Sequence, residues 1–308
     1  MPTDNTLDPE LLSAAVYANS FRTVKTTIGS TGLRSYPLRL DALRHIADSR
    51  VAEEFLITSR LKRRDIDLEI SIGSYFTESA AATLSLLDRH GRQGTSSVPL
   101  PKPAAVKMSL GETVRNRRSI RMYTGDSISL PYLAAIAQAA CGITGYIGED
   151  PRNGKRHSLA LHSTPSGGGL YPLTLQIAAL RVDNLPRGIF TYDPHANVLW
   201  QRGDETNVKA VLKSLANPTE IISSEQASAI CFLTGRPWRS MRKYGPRGMR
   251  YVFIEAGAIA EHINLTAVAL GLGSVDCASF YDDEANEALD IDGLYETLIH
   301  AIFLGVPG

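Results

Sequence analysis

Apolar residues recur at roughly helical spacing from Leu40 to Leu61, and Tyr75 to Leu87 is a second helical candidate rich in Ala and Leu. From Gly94 to Pro103 the pattern lapses. Small polar residues there run into three prolines at alternate positions, a composition that favours an extended linker. Regular spacing then resumes. Ser109-Leu-Gly-Glu112 matches a capping box, with a hydroxyl at the N-cap and a carboxylate three residues on, and opens a helix running to about Arg118. Pro131 to Ala140 forms another helix, with proline near its start and Gly142 at its stop. Leu173 to Val182 reads as a strand, Asp193-Pro-His-Ala-Asn197 as a hairpin turn, and the stretch near Val208 to Leu215 as a helix. Ala229 to Thr234 reads as a buried strand, Tyr251 to Leu270 as a long, mostly apolar helix, and Val275 to Phe280 and Leu298 to Leu304 as closing strands. A helix apolar nearly all round belongs at the centre of a domain. Helices and strands interleaved about it put the chain in the α/β or α+β class with a central sheet.

Composition narrows the function classes. The 308 residues suffice for one large domain or two modest ones, and 44% hydrophobic with 21% charged residues is ordinary for a globular chain with a sizeable core. Thirty-two basic residues balance thirty-two acidic ones, so no general electrostatic reason exists to expect nucleic acid or an anionic membrane as partner. Cys141, Cys231 and Cys277 are far apart among apolar neighbours, which suits reduced, buried thiols and not a disulfide scaffold. Met1 to Ser20 is acidic and lacks the basic-then-apolar order of a signal peptide, and no apolar run reaches bilayer length by this reading. The expectation is a cytoplasmic enzyme.

Three constellations carry candidate chemistry. Arg117-Arg118-Ser119-Ile120-Arg121 ends the capped helix, and its guanidiniums and hydroxyl suit a phosphate and a polyol chain, because the planar fork of arginine bonds two oxygens together. Taken alone, the run reads more simply as a solvated basic helix end, which the helix dipole favours. Pro165-Ser166-Gly167-Gly168-Gly169-Leu170-Tyr171-Pro172 lets backbone pass close to a flat ligand, or is an ordinary surface loop. Arg242-Lys243-Tyr244-Gly245 precedes the long helix. A tyrosine becomes a useful base when a nearby cation lowers its pKa, although neighbours in sequence need irregular backbone to face one another.

Other chemistries lack their residues. There is no phosphate-loop spacing, and Gly271-Leu-Gly273 does not extend to the dinucleotide fingerprint because Asp276 stands where the third glycine belongs. His157 and His162 have no carboxylate or cysteine beside them to complete a metal set, and His262 fits a satisfied core or interface residue. No Gly-x-Ser-x-Gly elbow is present.

In this order the three pieces, with Tyr251-Val-Phe-Ile-Glu-Ala-Gly257 leading into Ala269-Leu-Gly-Leu-Gly273, resemble the nitroreductase superfamily. More narrowly they resemble its SagB-type branch, the azoline dehydrogenases that mature ribosomally made peptides. The resemblance spans about Ser109 to Gly305. It implies an α+β, nitroreductase-type FMN-binding fold with a central, mainly antiparallel sheet flanked by helices, over residues 105–308. Residues 1–104 would be an N-terminal helical extension, docking or dimer-covering, that ends in the Pro-rich linker.

The resemblance further implies a homodimer with FMN in grooves built by both chains. By position, Arg117, Ser119 and Arg121, with Arg118 beside them, would meet the phosphate and ribityl oxygens. Pro165, Ser166, Gly167 and Gly168 would face the isoalloxazine ring from the partner subunit, and backbone at Ala278 and Ser279 would meet it near N5. Lys243 and Tyr244 would be catalytic, Tyr244 removing a proton from a peptide thiazoline or oxazoline. A cyclodehydratase is a further candidate partner, and no metal is implied. Two departures stand out: Ala258 follows Glu-Ala-Gly where relatives often have histidine, and the chain stops at Gly308 without the basic residues many nitroreductases place on the phosphate. Arg236 or Arg239 is a candidate substitute. The rival readings are an NAD(P)H-dependent nitro- or quinone reductase and a peptide-docking scaffold subunit.

Overall fold

The computed structural model describes residues 50–61, 63, 66–77, 96–147 and 159–308. The chain divides into two compact units, Met1–Arg63 and Arg64–Gly308. In the first, helix α1 (Arg50–Thr58) falls within the expected Leu40–Leu61 helix, whose earlier part lies outside the described residues. Ser59 closes it, with its backbone N–H donating to Phe55 at 3.0 Å.

The second unit begins with α2 (Ile66–Thr77), so helix precedes most of the expected Tyr75–Leu87 segment, of which residues 78–87 lie outside the described set. Ser97–Pro99, inside the expected linker, is a short strand, β1, at the edge of a seven-stranded sheet. Proline is tolerated there because an edge strand has one side unpaired. The other strands are β4 (Leu173–Ala179), β5 (Gly188–Asp193), β6 (Val198–Gly203), β7 (Ala229–Gly235), β8 (Gly273–Cys277) and β9 (Thr297–Gly305). They lie in the order β1-β6-β5-β4-β7-β9-β8, and every pairing is antiparallel. A separate hairpin joins β2 (Ile143–Ile147) to β3 (Leu159–His162).

Both faces of the sheet are covered, which is why the central strands read as continuous apolar runs. Along β7, Ala229, Cys231 and Leu233 enter one core, while Ile230 and Phe232 enter the other. The first core is roofed by α4 (Leu130–Cys141) and α7 (Gly248–Ala269), and the second by α5 (Glu205–Lys213) and α8 (Asp282–Ala288). The fold is thus the expected α+β arrangement, a large antiparallel sheet between helices. All three cysteines are free and buried.

Local signals set the ends. The capping box forms at α3 (Leu110–Asn116): Ser109 Oγ accepts the Glu112 N–H at 3.3 Å, and Glu112 Oε2 accepts the Ser109 N–H at 3.1 Å. Helix α7 buries Val252, Ala256, Ile259, Ile263 and Ala267 and stops where Gly271 takes φ +77. There Leu272 donates to Ala267 at 2.8 Å and Gly271 to Val268 at 3.0 Å, a Schellman ending, so Gly271 serves chain reversal. One sequence expectation is corrected. The helical run Pro237–Ala269 is long and apolar enough to cross a membrane by length and composition. Its residues instead form α6 (Pro237–Tyr244), a short 3₁₀ turn and α7, whose buried stripe packs into the core.

Candidate functional site

Sheet register gathers three of the predicted segments at one end. Leu173, which follows the glycine loop, pairs with Gly235, which precedes α6, and Gly235 pairs with Thr297 of β9. Cys277, just before Ala278 and Ser279, pairs with Ala301 toward that same end.

The glycine loop and the Lys-Tyr pair are in contact. A Cβ on Gly168 would clash with Tyr244 Oη and lie 2.9 Å from Lys243 Nζ, so both groups converge on this glycine, whose φ is +70. Lys243 is 1% exposed, and burial pulls its pKa below the usual amine range. Its Nζ lies 5.2 Å from the centroid of the Tyr244 ring. The Tyr244 ring meets Tyr251 edge-on at 4.8 Å, and the Tyr251 hydroxyl accepts from Arg247 Nε at 3.2 Å. The irregular backbone that adjacent residues need is supplied by Tyr244 itself, which leaves helical geometry at φ −116, ψ 8 as α6 ends.

The three glycines have separate reasons. A Cβ on Gly167 would press on Tyr251 at 2.9 Å, and one on Gly168 on the Lys-Tyr pair, so both permit close packing within the protein. Gly169, at φ +66, opens on nothing within 4 Å and is the glycine free to face a ligand. Pro165 is exposed and Ser166 half-buried, and Ser166 Oγ accepts the Tyr171 N–H at 2.9 Å.

The arginine motif sits elsewhere, along β8. Arg117 caps α3, and the chain then runs extended beside the strand: Ser119 bridges Ser274, and the Ile120 N–H donates to the Ser274 carbonyl at 2.9 Å. Arg117 is half-buried, whereas Arg118, Ser119 and Arg121 are exposed. Arg118 bends back and donates to the carbonyls of Arg115 and Arg117 at 2.9 and 2.7 Å, neutralising the helix end. From Ser274 to Ala278 the strand advances roughly 13 Å. Ala278 and Ser279 are exposed, and Ser279 accepts from the Ala216 N–H at 3.0 Å. The arginines therefore stand at the start of the edge strand, with Ala278 and Ser279 just past its end. Neither Arg236 nor Arg239 joins them: Arg236 pairs with Glu296 at 3.0 Å, and the charge of Arg239 is felt by His162 and Glu255.

Several residues with a stake in the site carried no role in the sequence reading. Glu255 is 3% exposed behind the glycine loop, and burial pushes its pKa up to about 8 against the opposing hydroxyl of Ser166. His162 stacks on Tyr171 at 3.9 Å, and burial, with His195 nearby, pulls its pKa down to about 4. The usable signal was a lone carboxylate within the buried spacing of α7. His262 is a satisfied residue as expected, with Nδ1 2.8 Å from the Ala139 carbonyl and 3.2 Å from Thr164 Oγ1.

Comparison with known proteins adds to this geometry. The profile of the nitroreductase family matches residues 114–306. A Methanocaldococcus jannaschii protein named as a nitroreductase is 32% identical over 197 residues, covering 64% of this chain and 91% of that protein. The solved structure of a protein from Anabaena variabilis, also named as a nitroreductase, superposes with a TM-score of 0.54 at 23% identity, over 69% of this chain but only 42% of that one. A chain of the Escherichia coli microcin synthetase McbBCD complex, solved with truncated pro-MccB17 bound, superposes with a TM-score of 0.50 at 17% identity, over 89% of this chain and 99% of that one. At such identities the two solved structures speak for the fold.

Proposed function

Because the chain belongs to the nitroreductase family, we propose that it is an FMN-dependent dehydrogenase that oxidises thiazolines or oxazolines in a precursor peptide to thiazoles or oxazoles. The observation that carries this reading is the convergence of buried Lys243 and Tyr244 on Gly168. A simple hydride-relay reductase has no need of such a side-chain base. The coverage of nearly the whole microcin synthetase chain adds weight at the level of fold.

The donor chemistry fits FMN. Arg117 and Arg121 with the Ser119 hydroxyl offer cationic and neutral donors to a phosphate and its polyol, exposed at the edge strand. Arg118 closes the helix end beside them. Ala278 and Ser279 lie beyond the other end of β8, and the open side of Gly169, with Pro165 and Ser166, suits a flat ring held by a second copy of the chain. Exposed Phe253 and Ile254 on α7, at 49% and 68%, are the apolar surface such a copy would cover. When bound, FMN supplies the two-electron acceptor for the departing hydride, with oxygen as final oxidant.

The protein's own part is a proton transfer and positioning. Tyr244, as its phenolate, accepts the ring proton of the azoline and becomes the phenol, while the positive charge of Lys243 beside it stabilises that phenolate. Aromatisation drives the loss of hydride from the neighbouring carbon, so position and one base suffice.

The test is to load the purified protein with FMN, add an azoline-bearing peptide and follow the loss of two hydrogens by mass. Turnover that disappears in Tyr244→Phe with flavin retained supports the reading. Full activity in Tyr244→Phe and Lys243→Ala refutes it. The name of the Methanocaldococcus relative favours the second reading, an NAD(P)H-dependent reductase. Its mark would be flavin bleaching by NADPH that ignores both substitutions.

A further inference from the structure

Glu255 lies on the buried stripe of α7, one turn before Ile259, and is 3% exposed. Its carboxyl faces the hydroxyl of Ser166 and the backbone N–H of Leu173, and Glu255 shares a small pocket with Tyr171 and Leu173 of the loop. The oxygen of Ser166 in turn accepts the N–H of Tyr171 at 2.9 Å. Both ends of the glycine loop therefore lie against one carboxyl on the central helix. Between those ends, Gly168, Gly169 and Tyr171 take φ values of 70, 66 and 45. Positive φ is natural for the two glycines but unfavourable for Tyr171, where it persists only because surrounding structure imposes it. The second carboxyl oxygen, Oε2, is buried without a hydrogen-bond partner. Glu255 lines a small cavity of about 10 Å³ together with Cys141, His162, Thr164 and Tyr171.

We infer that Glu255 is a positioning residue that clasps the loop from Ser166 to Leu173 from behind and so sets Gly168 against Lys243 and Tyr244. It acts through the loop, and the inference rests on that loop serving the proposed site. The groups facing the carboxyl are the Cys141 thiol from α4, the His162 ring from β3, the Tyr171 phenol from the loop and the Arg239 guanidinium from α6. Burial dominates over the opposing charge of Arg239 and holds the acid neutral at ordinary pH, with a pKa of about 8. Above that pH, Oε2 becomes a buried anion, with His162 held neutral beside it. The charge is relieved by admitting water, which parts the loop from the helix.

The experiment is hydrogen exchange by mass spectrometry on the full chain, reading peptides that span Ser166–Leu173 at pH 6 and pH 9, corrected for the intrinsic pH dependence of exchange. In the wild type the loop is protected at pH 6 and exchanges at least tenfold faster at pH 9. Glu255→Gln keeps the acceptor without the charge and stays protected at both pH values. Glu255→Ala exchanges at least tenfold faster at both, with β4 and β7 unchanged. A pH-independent wild-type loop, or a Glu255→Gln loop as exposed as that of Glu255→Ala, overturns the inference. If Glu255→Ala also loses protection across the sheet, the wild type against Glu255→Gln decides alone by the same criterion. The readout needs neither flavin nor peptide, so it stands or falls apart from the azoline reading.

Discussion

At Gly168 and at Ser119 the second unit carries two halves of a candidate site built in contrasting ways. Around Gly168 the groups interlock: the backbone is left-handed, Lys243 is buried, two tyrosines meet edge-on and a buried carboxyl clasps the loop. Around Ser119 the chain runs exposed along an edge strand, and of its arginines only Arg117 is half-buried. The first arrangement holds its geometry by packing alone, as a proton-transferring group requires. The second is a row of cationic donors whose long side chains gain a fixed geometry when an anion arrives. Substitutions on the two sides should therefore fail differently, one in rate and stability, the other in affinity.

The largest expected effect is on rate. Tyr244→Phe should lower azoline turnover by roughly 10²–10⁴-fold, the span for a positioned general base, with flavin affinity retained. Steady-state kinetics at saturating FMN checks this, and an equal loss of flavin binding would erase the contrast. Next, Arg117→Ala should weaken FMN binding by about 1.5–3 kcal/mol, the worth of a hydrogen bond to a charged group, while kcat recovers with excess FMN. Flavin titration by fluorescence measures it.

Gly168→Ala should cost about 1–3 kcal/mol of stability, since the new methyl meets Lys243 and Tyr244 in strained backbone. Gly169→Ala, equally left-handed but in open space, should cost the backbone part only, and thermal melting of the pair separates contact from strain. Smallest per pH unit is the slope from Glu255. A carboxyl whose folded pKa is raised to about 8 binds more protons folded than unfolded above its ordinary value of 4.5, so stability falls as pH rises between those values. The slope is at most about 1.4 kcal/mol per pH unit, and Glu255→Gln should flatten it in urea melts at stepped pH.

Much of the contrast was legible in the sequence because it rests on local rules. The capping box at Ser109, the glycine stop after α7 and the apolar runs of β4, β7 and β9 each declare themselves within a few residues. The juxtaposition of Gly168 with Lys243 and Tyr244 was not legible as geometry, because it depends on the pairing of Leu173 with Gly235 across the sheet. The family resemblance supplied the motifs without their contact. Strand β1 hid in a proline-rich stretch, since an edge strand needs few of the usual signals. The hairpin β2–β3 has strands of only five and four residues, and α6 mixes three basic residues among eight, so neither showed a clear period. Glu255, seen only as part of the Tyr251–Gly257 motif, was given no role because burial of a lone carboxylate is set by what packs over the helix.

The most direct test of the central claim, that Lys243 and Tyr244 make this a proton-removing oxidase of azolines, is stopped-flow absorbance of the FMN-loaded protein mixed anaerobically with azoline peptide or with NADPH. The account predicts flavin bleaching by the peptide that slows at least 10²-fold in Tyr244→Phe. Rapid bleaching by NADPH, unchanged in that variant, with the peptide inert, would contradict it.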